Sequence, residues 1–136
     1  MYIQLALALA LTPISSWGPV TTPDGHLSMD GVIERTVTFS QGPNGLPVAH
    51  PAYAVKGYGW LDFGHCGTTA VTRQMKAGFA LKDWVKHPCR TRLQQPRPRI
   101  DVPLNAQLRD VAFIDVEVCS TGGATGDSCA TTRIYG

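Results

Sequence analysis

The run RDVAFIDVEVC, residues 109–119, constrains this chain more than any other stretch. Ala112, Ile114, Val116 and Val118 alternate with Asp115 and Glu117. A period of two places the apolar set on one side of a β-strand and the acids on the other. A strand with one apolar face has to bury it against a second layer. The alternation recurs in VIERTVTF, where Ile33, Arg35, Val37 and Phe39 share a face. It recurs again in TTAVTRQMKAGF, with Val71, Arg73 and Met75 on one side and KAG as a turn. AYAVKGYGWLDF reads as an aromatic strand with a bulge expected at Gly57 or Gly59. ATTRIYG closes the chain as a short strand.

The intervening segments WGPVTTPDGHLSMDG, SQGPNGLPVAHP and RTRLQQPRPRIDVPLNAQ are loops by their Gly, Pro and Asn content. Pro96, Pro98 and Pro103 exclude a central strand from the last of them. ALKDWVKH is ambiguous, because Leu81, Trp84 and Val85 fit one helical face and also the return strand of a hairpin. Charged residues make up 16% of the 136, against about a quarter in an ordinary soluble domain. Glu34 and Glu117 are the two glutamates, which argues against a helical bundle. The expected fold is therefore all-β: an antiparallel β-sandwich with at most one short helix, disulfide-linked, as a single domain over residues 19–136.

The opening MYIQLALALALTPI is apolar for most of its length and shorter than the roughly twenty residues that span a bilayer. Small residues follow at Ser15, Ser16 and Gly18, so residues 1–18 are expected to be a signal peptide. No Lys or Arg precedes Arg35, which suggests a truncated leader. The rival reading is a strand, since Ile3, Leu5, Leu7, Leu9 and Leu11 alternate with Gln4 and small alanines. Four widely spaced cysteines behind an apolar leader point to an oxidising compartment. The expected location is secreted or at the cell surface, with no transmembrane segment in the mature chain.

Cys119 and Cys129 flank STGGATGDS, a loop able to bring two strand ends within disulfide range. Cys66 and Cys89 would then pair around the expected hairpin. Four cysteines allow three connectivities and the sequence leaves them open; the sequential one, Cys66–Cys89 and Cys119–Cys129, is the expectation.

The C-terminal FIDVEVCSTGGATGDSCATTRIYG is similar to the ending of many small secreted proteins of actinomycetes. In these a strand ends in a cysteine, a Gly/Ser/Asp loop follows, and a second cysteine leads the last strand. AVTRQMKAGF followed by KDWV also resembles their valine–threonine strand, turn and tryptophan-containing return strand. The resemblance covers residues 57–135, and it implies export and a β-sandwich without carrying over any catalytic residue.

A net charge of +2 gives no case for specific nucleic-acid binding, but its distribution is uneven. Lys82, Lys86, Arg90, Arg92, Arg97 and Arg99 face Asp83 alone over eighteen residues, which reads as a polyanion contact or a solvated loop. No aromatic interleaves these arginines in the sequence, as a stacking platform needs. Trp60 and Asp62, on one face with Tyr58, form a candidate carbohydrate contact; the competing expectation is that Trp60 fills the core.

His65, Cys66, His87 and Cys89 have the types and number of a tetrahedral zinc site, but adjacent residues of an extended chain point to opposite sides. Asp24, Asp30 and Glu34 supply oxygens for calcium, yet Met29 and Arg35 stand where an EF-hand needs glycine and glutamate. No nucleophile, metalloprotease or phosphate-loop motif occurs, and no cofactor is expected. The expected role is a secreted binding or structural module for a cell-surface polyanion or carbohydrate. A small secreted hydrolase is one alternative. A secreted inhibitor or toxin is the other, presenting RTRLQQPRPRI or STGGATGDS as its rigid loop.

Overall fold

The computed structural model describes residues 10–122 and 126–135. Eight strands occur among them: β1 Ala10–Thr21, β2 Leu27–Gln41, β3 Pro47–Leu61, β4 Cys66–Met75, β5 Ala80–His87, β6 Arg99–Pro103, β7 Val111–Thr121 and β8 Ser128–Tyr135. They form two four-stranded antiparallel sheets, in the orders β1-β2-β3-β6 and β5-β4-β7-β8, packed face to face. A 3-10 turn at Leu108–Asp110 precedes β7. The expected β-sandwich is the fold.

The alternation of residues 109–119 has the expected consequence. Ile114, Val116 and Val118 are fully buried, and opposite them in the core lie Leu27, Met29, Ile33, Val55 and Leu61 from the first sheet. ALKDWVKH resolves as β5, paired with β4 from Gly67↔His87 to Gln74↔Ala80. The segment that the prolines keep from the sheet centre yields β6, which lies at an edge.

Two loop expectations need correction. WGPVTTPDGHLSMDG is loop only over residues 22–26, its two ends belonging to β1 and β2. SQGPNGLPVAHP is mostly strand: β2 and β3 pair without a break from Leu27↔Leu61 to Gln41↔Pro47 around a turn held by Gly42 N–H to the Leu46 carbonyl at 2.8 Å. The prolines are tolerated because the outer half of this ribbon is solvated and Pro51 pairs only toward β2. The same unbroken register removes the bulge expected at Gly57 or Gly59. These glycines give room instead. A Cβ on Gly57 would stand 2.5 Å from Cζ2 of Trp17 and 2.7 Å from the Asp30 carbonyl.

Trp17 is the reason. It is 4% exposed, and its indole lies against the backbones of Gly31 and Gly57. In a regular strand Trp17 and Val20 would face opposite ways, but β1 shifts register between them at Gly18, whose φ of 82° few other residues adopt. Both side chains therefore enter the core. Residues 1–9 lie outside the described residues. The rest of the expected leader, residues 10–18, belongs to β1, so a boundary after residue 18 divides a strand and parts Trp17 from the pocket it fills.

Trp17→Ala should cost about 3–5 kcal/mol, the usual range for emptying a buried aromatic site. For a chain of this size that lowers the melting temperature by roughly 10–20 °C. Gly57→Val should fail similarly by forcing the indole out; thermal melts followed by circular dichroism check both.

Candidate ligand-binding site

Residues 88–98 carry the chain from β5 in the second sheet to β6 in the first, so the basic segment is a crossover along the side of the sandwich. With Trp60 and Leu61 of β3 it bounds a groove of about 780 Å³. Lys86, Arg90, Arg92, Arg97 and Arg99 line this groove, and no carboxylate does. None of the five cations has an ion-pair partner among the described residues.

The crossover is tied down at several points. The Cys66–Cys89 disulfide joins its start to the start of β4. Arg90 N–H donates to the His65 carbonyl at 2.9 Å, and Gly64 N–H donates to the Arg90 carbonyl at 2.7 Å. Gln95 reaches back across the loop: its Nε2 donates to the carbonyls of Cys89 at 2.9 Å and Pro88 at 3.3 Å, while its Oε1 accepts from Thr91 N–H at 3.0 Å. At the far end Gly59 N–H donates to the Pro98 carbonyl at 2.9 Å. The groove is preorganised by these contacts rather than assembled by a ligand.

Aromatics do interleave the arginines, but they come from β3. Trp60 is 46% exposed and Tyr58 60% exposed, which overturns the expectation that Trp60 fills the core. The core position went to Trp17. The Arg90 guanidinium lies 4.1 Å from the centre of the Trp60 ring and donates through Nη1 to the Leu61 carbonyl at 3.0 Å. Arg99, opposite Tyr58 in the β3–β6 register, lies 5.9 Å from the Tyr58 ring. Both distances are within cation–π range.

Asp62 accepts from Trp60 Nε1 at 2.8 Å and pairs with His26 Nδ1 at 3.0 Å. The His26 hydrogen bond, and then that of Trp60, hold its carboxyl below the usual carboxylate range. The His26 ring stacks on that of His65, with centroids 3.6 Å apart. Trp60, Asp62, Arg90, Arg92, Arg97 and Arg99 are thus brought to one side of the sandwich, with Asp62 behind the Trp60 ring rather than in the groove. His26 and Gln95 were missed by the sequence reading, because nothing local signals a turn histidine or a loop amide; Tyr58 was read on one face with Trp60 and Asp62.

The zinc alternative loses its thiolates, because Cys66–Cys89 and Cys119–Cys129 are both disulfides and no described cysteine is free. His87 is buried, its Nε2 2.7 Å from the Thr69 hydroxyl. The calcium candidates are spent on other partners: Glu34 pairs with Lys56 at 2.7 Å, and Asp24 accepts from Ser120 and, at 2.6 Å, from Thr22. Asp30 lies apart from them on the exposed side of β2. Comparisons with family models, with curated proteins and with solved structures gave no match.

Burial pushes the His87 imidazole below its ordinary value of 6.5. The unfolded chain therefore takes up that proton first, and stability present above about pH 6.5 should be lost as the pH falls below it. The Asp24 carboxyl is lowered from 3.8 to about 2, chiefly by Ser120 and then by Thr22. Its contribution should persist above 3.8 and disappear as the pH falls toward 2. Thermal melts across pH should show both slopes, with His87→Gln flattening the upper one and Asp24→Asn the lower.

Proposed function

We propose that this protein is an exported binding module, and that the groove between the crossover and Trp60 receives a negatively charged ligand. The observation carrying this reading is the groove wall: Lys86, Arg90, Arg92, Arg97 and Arg99 without a carboxylate among them. Like charges held together raise the local potential and attract an anion, and a concave low-dielectric wall strengthens the field. A surface kept this basic without internal pairing is better suited to an anionic partner than to solvation alone.

Export is supported by two disulfides across four cysteines and by the likeness to small secreted actinomycete proteins. No helix among the described residues is long and apolar enough to cross a membrane. Hydrolysis is the less supported reading: Ser40 hydrogen-bonds His50 Nε2 at 2.6 Å, but both are exposed on the outer β2–β3 ribbon and neither lines the groove.

Retention on immobilised heparin should fall steeply as salt rises from about 0.05 M to 0.5 M, because exposed charges are screened over a shorter Debye length. Arg92→Gln combined with Arg97→Gln should weaken binding by about tenfold, each exposed contact contributing up to about 1 kcal/mol. Salt-independent retention, or none, would remove the proposal. For the exported protein, thiol titration should find no reactive cysteine before reduction and four after it; free thiols in the native protein would argue against an oxidising compartment.

A further inference from the structure

Beside the basic groove, on the other side of Trp60, lies a smaller hollow of about 200 Å³. Ser28, Met29, Asp30, Tyr58, Gly59, Trp60 and Arg97 line it, so Trp60 and Arg97 belong to both. The chemistry of the two differs. The groove has cations and no carboxylate; the hollow has two exposed aromatic rings, a hydroxyl and the Asp30 carboxylate.

The register explains this pairing of features. Asp30 stands directly across from Tyr58 and Ser28 across from Trp60, so an acceptor neighbours each ring. Tyr58 and Trp60 are alternate residues on β3, which spaces them by roughly 6.6–6.8 Å along one face. Asp62 continues the row and fixes the edge of the indole through Nε1 at 2.8 Å.

Resting on the reading of the groove as an anion site, we infer that the ligand is an anionic saccharide: its ring lies against Tyr58 and Trp60 in the hollow, and its charged substituents enter the arginine groove. The C–H face of a sugar ring suits an aromatic surface, and its hydroxyls suit a carboxylate and a serine that a bare polyanion would avoid. A ring-free polyanion has nothing to place on Tyr58 and Trp60, and it meets repulsion from Asp30. A single-stranded nucleic acid can stack on the same rings, but its backbone phosphates would pass that same carboxylate. The sugar's charge, whether uronate or sulfate ester, presents the same acceptor oxygens to arginine.

The test is calorimetric titration of the full chain, at one ionic strength, with six polymers. These are dextran sulfate, unmodified dextran, polygalacturonate, polyphosphate, poly-glutamate and oligothymidylate. Dextran sulfate or polygalacturonate should bind at least roughly tenfold more tightly than polyphosphate or poly-glutamate of matched charge. Whichever of the two binds more tightly identifies sulfate ester or uronate as the preferred charge. Unmodified dextran should bind more weakly than its sulfated form.

Tyr58→Ala, at an exposed position, should weaken the anionic saccharide by about tenfold while leaving polyphosphate within about twofold. Asp30→Asn should weaken the saccharide and strengthen polyphosphate. Equal binding of ring-free polyanions, tightest binding of oligothymidylate, or equal losses for all ligands in Tyr58→Ala would overturn the saccharide assignment and leave the basic groove intact. Failure of every polyanion to bind would instead overturn the groove reading itself.

Discussion

The covalent link between Cys66 and Cys89 decides where the basic crossover sits, and everything proposed for the binding face depends on it. Closing a loop of sequence separation 23 restricts the unfolded chain by about 3 kcal/mol on the chain-entropy account. Its local effect is more specific. Cys66 opens β4 and Cys89 follows β5, so the link is made just beyond the last paired residues, Gly67 and His87. The two backbone hydrogen bonds between Arg90 and the 64–65 turn extend that alignment by one more residue. Arg90 is thereby delivered to the face of Trp60, and the rest of the loop departs from a fixed point. Gln95 then closes the loop on itself at Pro88 and Cys89.

A second constraint sets what the crossover meets. The inner side of β3 carries Gly57 and Gly59, whose missing side chains admit Trp17 and Met29. With Trp17 and Met29 filling that space, Tyr58 and Trp60 are left on the outer side of β3, while Tyr53 packs against the core. Tyr58 and Trp60 are exposed because the glycines between and before them face inward. The usual division of large inside and small outside is inverted over residues 57–60 of this strand, while Val55 and Leu61 keep to it. The inverted strand is also the one next to edge strand β6, where Arg99 falls opposite Tyr58. The binding face thus follows from how one tryptophan is accommodated on the opposite side of the same sheet.

This explains which parts of the molecule were legible in the sequence. Strands with a bulky apolar side, such as β7, declared both their existence and their buried face through residues 114, 116 and 118. The two disulfides matched the sequential pairing because each cysteine pair lies at the end of a local hairpin. Trp60 was misread because its direction depends on Trp17, forty-three positions earlier, and no periodicity within β3 carries that information. The outer end of the β2–β3 ribbon, residues 40–51, was read as a loop because its Gly, Pro and Asn are a turn signal, whereas here the strands run on past the edge of the sandwich. The cations of the groove were visible as a cluster. Their contact with Trp60 and Tyr58 was not, since tertiary packing brings the two together.

Charge pairing distinguishes the groove from part of the strand surface. Three strand cations have carboxylate partners: Lys56 with Glu34, Arg73 with Asp83, and Arg133 with Asp115. Arg73 goes further. It is buried, and its Nη1 donates to the Pro103 carbonyl at 2.8 Å, so it stitches β6 of one sheet to β4 and β5 of the other. Removing Asp83, itself exposed, would leave the buried Arg73 guanidinium without its counter-charge, which is costly. The crossover arginines are different, since nothing in the fold needs them to be charged. Holding Arg92, Arg97 and Arg99 together without counter-ions works against stability through mutual repulsion. The overall charge of +2 conceals this, because five of the twelve Lys and Arg residues line one groove that no carboxylate lines. An arrangement that opposes the fold, and that an external anion would relieve, is the physical basis of the anion site proposed for this groove.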